Sequence, residues 1–141
     1  MIVTGALDAR LYALDAATGA VLWNINPGAR AIGTPAVSGG RVYLNLGAHS
    51  LRAIDPATGA TIWSVAGSQL APVASTPPTV ANGVLYHGTG SGTLVARDPA
   101  TGTILWSDTT AVRSTSSLTA VVVANGAVYG SRLSGVTAHH P

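Results

Sequence analysis

The chain has no cysteine, lysine, glutamate or phenylalanine among its 141 residues. Without cysteine, neither a disulfide nor a thiolate metal site can form, and redox chemistry says nothing about the compartment. Charged residues make up only 9% of the sequence while hydrophobic ones make up 47%. So little charge leaves much of the surface neutral, which suits sheets covered on both faces, or an assembly. Every basic side chain is arginine, the signature of a GC-rich coding bias. Arg10, Arg30, Arg41, Arg52, Arg97, Arg113 and Arg132 are scattered along the chain. Nucleic-acid recognition needs a basic stripe with interleaved aromatics, and none is present. The net charge of +2 selects no partner class. Long apolar runs are also missing. The longest, Ala120 to Ala124, falls far short of the ~20 residues that a membrane-spanning helix needs. The opening stretch from Met1 to Arg10 has neither a basic n-region nor a bounded apolar h-region, so it reads as strand and not as a signal peptide.

What the chain does have is one pattern written three times, Ala-x-Asp-x-x-Thr-Gly-x-x-x-Trp. The copies are Ala13, Asp15, Thr18, Gly19, Trp23; Ala53, Asp55, Thr58, Gly59, Trp63; and Ala96, Asp98, Thr101, Gly102, Trp106. A recurrence of this length marks stacked supersecondary units. Each motif residue has a mechanical reason. The aspartate begins a turn, where its short carboxylate accepts from backbone N–H groups just ahead. Pro56 and Pro99 preset φ for the first central residue of a type I turn, with Ala16 at that position in the first copy. The glycine supplies the left-handed conformation that re-enters the next strand. Around each motif lie short runs rich in Val, Ile, Leu and Tyr, punctuated by Gly-Gly or Asn-Gly, which are strand and hairpin signals.

These three copies resemble the tryptophan-docking motif of the PQQ-like (quinoprotein) β-propeller repeat family. The resemblance implies an all-β fold of four-stranded antiparallel blades, with each tryptophan lying flat between neighbouring blades. It implies no single chemistry, because the family holds quinone-dependent dehydrogenases, a non-enzymatic outer-membrane assembly lipoprotein and scaffold propellers. Family members mostly work outside the cytoplasm, so the resemblance implies an extracytoplasmic setting.

The register predicts a single PQQ-like segment with a partial blade at 1–29, complete blades at 30–68 and 69–112, and a partial blade at 113–141. Joined, the two partial blades would bring the total to about three. A closed propeller normally has four to eight blades, so the expectation is an open fragment of a longer propeller or a ring completed by oligomerisation. The simplest such ring is a head-to-tail dimer of six blades. The expected partners are accordingly the remaining blades or a second copy of the chain, together with an unidentified protein or ligand.

Candidate chemistry is sparse. By resemblance, a quinoprotein dehydrogenase needs calcium beside pyrroloquinoline quinone, an aspartate base and often a vicinal disulfide. Calcium prefers six to eight converging oxygen ligands, and here three of the five aspartates belong to turns. Asp8 reads as a hairpin-turn residue and Asp108 as a solvated strand end. The expectation is no cofactor, with the quinone and calcium admissible only in a complete parent propeller. No catalytic or metal-binding residue is assigned. His49 and His87 read as polar loop residues facing one end of the channel, and His139-His140 stands where a fourth motif would begin. Arg30 and Arg113 precede inner strands and read as solvated. Ser114-Thr-Ser-Ser117 has no fixed base beside it, and Gly88-Thr-Gly-Ser-Gly92 lacks the following helix of a phosphate cradle. The expected function is a non-catalytic scaffold with a binding surface on its loops. The alternative is part of a quinone-dependent alcohol dehydrogenase whose catalytic residues lie in other blades.

Overall fold

The computed structural model describes residues 1–6, 8–28, 31–46, 50–65, 76–89, 93–108, 118–132 and 135–139. His49, Arg30, Arg113, Ser114 to Ser117, Gly90 to Gly92 and His140 lie outside the described residues. The described residues form fourteen strands and no helix: β1 (Ile2–Gly5), β2 (Leu11–Leu14), β3 (Val21–Ile25), β4 (Ala31–Ser38), β5 (Arg41–Leu46), β6 (Ser50–Ile54), β7 (Thr61–Val65), β8 (Thr79–Ala81), β9 (Val84–Gly88), β10 (Leu94–Arg97), β11 (Ile104–Asp108), β12 (Leu118–Ala124), β13 (Ala127–Arg132) and β14 (Gly135–His139). They pair into four antiparallel sheets: β1-β2-β3, β4-β5-β6-β7, β8-β9-β10-β11 and β12-β13-β14. Each is a meander in sequence order, the arrangement of a propeller blade.

The strand register places the repeats in correspondence. Val3 pairs with Ala13 and Ala13 with Trp23. Tyr43 pairs with Ala53 and Ala53 with Trp63. Tyr86 pairs with Ala96 and Ala96 with Trp106, and Tyr129 pairs with Ala138. One row therefore runs across each sheet on the face that looks toward the following blade. A bulge separates the third and outer strands just after Ala13, Ala53 and Ala96, because the turn inserts an extra residue on one side. The turn tips Asn82-Gly83 and Asn125-Gly126 have positive φ at both residues, as a type I′ hairpin requires.

Three apolar clusters lie between sheets. The first joins Leu11, Val3, Trp23 and Ile25 to Val42, Leu44, Leu46 and Ile54. The second joins Tyr43, Leu51, Ala53 and Trp63 to Val80 and Leu85. The third joins Tyr86, Leu94, Ala96 and Trp106 to Leu118, Val121 and Val128. Burial on both faces is why strands such as Arg41–Leu46 do not alternate apolar with polar.

The two complete blades are four-stranded sheets and the two partial blades three-stranded ones. The first has second, third and outer strands, the last has inner, second and third strands, and the two overlap in kind. The last gains a full third strand because Gly135 to His139 pairs along its whole length with Val128 to Arg132. The inner strand of the first complete blade runs from Ala31 to Ser38. Gly33, at φ +75°, sits in an irregularity between Ile32 and Ala36 that lets the chain resume pairing.

Candidate functional site: the blade junctions

The motif turns are built alike. Asp15 Oδ1 accepts from the backbone N–H of Ala17 and Thr18, at 2.9 and 2.8 Å, and from the Thr18 hydroxyl at 3.0 Å. These bonds favour the ionised carboxylate and hold its pKa below the ordinary value. Asp55 Oδ1 accepts from Ala57 and Thr58, and Asp98 Oδ1 from Ala100. The N–H of Gly19, Gly59 and Gly102 donates back to the carbonyl of Asp15, Asp55 and Asp98. These glycines have φ between +73° and +77°.

Two tryptophans reach across to the next turn. Trp23 Nε1 donates to the Pro56 carbonyl at 2.8 Å, and Trp63 Nε1 donates to the Pro99 carbonyl at 3.0 Å. Their rings lie against the glycines of those turns. A Cβ built on Gly59 would stand 3.1 Å from Cε3 of Trp23, and one on Gly102 only 2.8 Å from Cε3 of Trp63. All three tryptophans are half-buried, with one edge at the rim, and not fully enclosed. Tyr43 joins the second junction. Its ring centroid is 6.0 Å from that of Trp63, and its hydroxyl donates to the same Pro99 carbonyl at 3.2 Å.

The third junction differs. Trp106 faces His139 at a ring separation of 6.2 Å, and His139 Nε2 lies 3.2 Å from Asp108 Oδ2. Asp108, expected to be solvated, is thus partly buried against the neighbouring sheet. His139, which stands where a fourth motif would begin, is the last residue of β14. Asp8 is a turn residue as expected: Oδ1 accepts from the Arg10 N–H at 2.9 Å and Oδ2 from the Tyr12 hydroxyl at 2.6 Å. The tyrosine bond comes first in lowering the Asp8 pKa, and the same bond raises that of Tyr12.

His87 is a correction. It is a fully buried residue of β9, not a loop residue. Arg97, on β10, is 2% exposed and donates from Nε to His87 Nε2 at 3.0 Å and from Nη1 to the Gly102 carbonyl at 2.8 Å. Burial, followed by the adjacent guanidinium, lowers the His87 pKa to about 4, so the imidazole is neutral and accepts. Register puts His87 where the preceding blade has Leu44, and Arg97 where it has Ile54. A polar pair thus replaces two core aliphatics and ties the third blade to its own motif turn. Aligning the repeats position by position would have exposed these two exceptions.

Among the described residues no cluster of three or more His, Cys, Asp or Glu is placed to hold a metal. They hold no helix long and apolar enough to cross a membrane.

A sequence model described as outer membrane protein assembly factor BamB matches residues 1–139. No curated protein matches the chain. Among solved structures, BamB from Moraxella catarrhalis is similar at 23% identity and a TM-score of 0.82, over 98% of this chain and 42% of that one. The computationally designed Ika4 protein is similar at 20% identity and a TM-score of 0.81, over 98% of this chain and 83% of that one. The quinohemoprotein alcohol dehydrogenase ADHIIG from Pseudomonas putida HK5 is similar at 28% identity and a TM-score of 0.59, over 70% of this chain and 17% of that one. The chain thus spans less than half the length of BamB and about a sixth of the dehydrogenase. Its all-β sheets, its three motif copies and a family match along nearly the whole length lead to one conclusion: the chain belongs to the PQQ-like repeat family described as outer membrane protein assembly factor BamB.

Proposed function

We propose that the chain is a non-catalytic propeller segment, a rigid scaffold whose loops present a surface to a protein partner. The observation that carries this reading is the engagement of every carboxylate in the sequence by the fold itself. Asp8, Asp15, Asp55 and Asp98 are bound by their own turns, and Asp108 faces His139. The buried His87 and Arg97 engage each other. A general base needs a carboxylate or imidazole within reach of a substrate proton, and each of these groups already has a partner within the fold. In this reading Trp23, Trp63 and Trp106 dock each blade on the next. The motif alanines keep the facing surface shallow, and the Asp, Thr and Gly residues hold the turn on which the indole rests.

The family description, an assembly factor, supports a protein as the natural partner and an extracytoplasmic setting at the outer membrane. The remaining face of a blade array also has to be covered, by further blades or by a second copy of the chain. The competing assignment is part of a quinone-dependent alcohol dehydrogenase. Purified chain mixed with pyrroloquinoline quinone and calcium, then desalted, is expected to emerge without the quinone chromophore. A retained chromophore at one equivalent would overturn the scaffold reading. Fractionation of cells expressing the chain in its natural context is expected to place it outside the cytoplasm, and recovery from the cytosol would overturn that assignment.

A further inference from the structure

We infer that the second blade junction is a hydrated site, with ordered water held between Asn45 of β5 and the His87–Arg97 pair of β9 and β10. The inference is independent of the scaffold reading above. Alternate residues of a strand share a face, so Asn45 lies on the face that carries Tyr43, and Tyr43 packs with Leu85 of the next sheet. His87 shares the face of Leu85 for the same reason. Asn45 and His87 therefore look into one junction from opposite walls. Hydrogen bonds across that junction hold them close. Asn45 Nδ2 donates to the Thr76 carbonyl, the Thr76 N–H to the Gly88 carbonyl, and the Gly88 N–H to Thr76 Oγ1 at 2.8 Å. The Asn45 amide is thus anchored on the residue paired with Gly88, the chain neighbour of His87.

Three side chains here end in a polar atom that no protein group answers. Asn45, His87 and Arg97 are 1%, 0% and 2% exposed, and Asn45 Oδ1, His87 Nδ1 and Arg97 Nη2 are buried without a hydrogen-bond partner. The chemistry of each atom is fixed by the bonds its own side chain already makes. His87 Nε2 accepts from Arg97 Nε at 3.0 Å, so the neutral ring carries its proton on Nδ1. Asn45 Nδ2 is engaged by Thr76, which leaves Oδ1 as an acceptor lacking a donor. Arg97 has Nε on His87 and Nη1 on the Gly102 carbonyl, which leaves Nη2 as a donor lacking an acceptor. Two donors and one acceptor thus remain inside a single junction. Buried groups of this kind are costly to leave unpaired, and internal water is the usual means of pairing them.

Comparison of the repeats shows why this junction differs from its neighbours. Register puts Asn45 where the first and third sheets have Gly5 and Gly88, opposite Leu51, Leu11 and Leu94 respectively. At those two junctions the next inner strand presses on the glycine: a Cβ on Gly5 would stand 2.9 Å from Cβ of Ala31, and one on Gly88 only 2.6 Å from Cβ of Leu118. The second junction cannot close in that way, because the Asn45 side chain stands where the others have none. On the opposite wall, His87 and Arg97 replace the aliphatic pair Leu44 and Ile54. Both walls have therefore changed from apolar to polar at the same junction. The donor and acceptor count selects the guest. An anion would serve the two donors but would be set against the Asn45 oxygen, whereas a short chain of water accepts from the donors and donates to that oxygen.

A high-resolution crystal structure of the chain is expected to show ordered water within ~2.7–3.2 Å of Asn45 Oδ1 and of His87 Nδ1. In solution, long-range nitrogen–proton NMR is expected to find His87 as the Nδ1–H tautomer, with a through-space cross-peak between that proton and water. Asn45→Leu removes the acceptor and is expected to abolish the cross-peak while leaving the tautomer, which Arg97 sets, unchanged. Asn45→Ser copies Ser131, the residue at this register position in the last sheet, and is expected to keep the cross-peak. Should the leucine variant fail to fold, the wild-type and serine spectra still decide. A direct bond from His87 Nδ1 to Asn45 Oδ1 with no water between them would overturn the inference. So would a proton on Nε2, a cross-peak that survives Asn45→Leu, or bromide occupying the site in crystals soaked in that anion.

Discussion

The ring of Trp63 lies so close to Gly102 that a Cβ on the glycine would stand 2.8 Å from Cε3 of the indole. Gly102 also has φ +77°. The residue that lets the turn re-enter the sheet is therefore also the floor on which the previous blade rests. One glycine answers two requirements, and they can be separated by comparison with Gly19, which has φ +73° and open space around it.

Gly19→Ala is expected to cost only the left-handed backbone penalty, about 1–2 kcal/mol. Gly102→Ala is expected to cost that and the overpacking against Trp63, about 2–5 kcal/mol together. Urea unfolding of both variants checks this, and equal losses would remove the junction from the role of Gly102.

Trp63→Ala is expected to destabilise the chain by about 3–5 kcal/mol, the usual range for truncating a large core aromatic. Because the ring is half-buried, the lower end is the expected value. Trp63→Phe keeps the face on Gly102 but loses the Nε1 bond to Pro99, and is expected to cost about 1–2 kcal/mol. A loss below about 1 kcal/mol for the alanine variant would refute the docking role.

The His87–Arg97 pair makes the second junction sensitive to acid. His87 has a pKa near 4 in the fold against 6.5 as a free group, so between those values the unfolded chain binds more protons. Stability is therefore complete above about pH 6.5 and falls as the pH drops toward about 4, by about 3 kcal/mol. Below that, imidazolium would face guanidinium. The double variant His87→Leu with Arg97→Ile copies Leu44 and Ile54 of the preceding blade. It is expected to fold at least as stably, as when a buried polar pair gives way to matched aliphatics, and to lose most of this pH dependence. Melting temperature against pH for both proteins tests it.

Asp55→Ala removes the acceptor of the Ala57 and Thr58 N–H groups without touching the sheet core. The expected cost is about 1–2 kcal/mol. Asp55→Asn, which keeps a side-chain oxygen, is expected to recover about half of it. Thermal melts of the two variants side by side are the check, and equal losses would show that the turn does not depend on that oxygen.

Much of the architecture was legible in the residues. The runs around Val42 to Leu46 and Leu94 to Arg97 announced strands through β-branched and aliphatic content, and Asn82-Gly83 announced its hairpin. The aspartate's hold on the N–H groups ahead of it and the left-handed glycine of each motif turn could be read directly, because they depend on a few adjacent residues. His87 and Arg97 were not legible as a pair. They are ten positions apart and meet only because adjacent strands set their side chains on one face between two blades. Asp108 and His139 are further apart still, on different sheets. The full extent of the last sheet was not legible for a similar reason: whether Gly135 to His139 makes a whole strand depends on the length of Ala127 to Arg132 available to pair with it.

The sequence by itself determined the period, the strand and turn chemistry of each repeat, and the family to which they point. Those features rest on hydrogen bonds and backbone preferences spanning a few residues, and three repeats of the motif leave little room for another reading. Only the tertiary structure decided which tryptophan rests on which glycine, which core positions hold a buried polar pair, and that the end sheets remain separate with their apolar faces open. Those outcomes depend on side chains brought together from distant segments, whose burial is defined by the neighbouring blade and not by the strand that carries them.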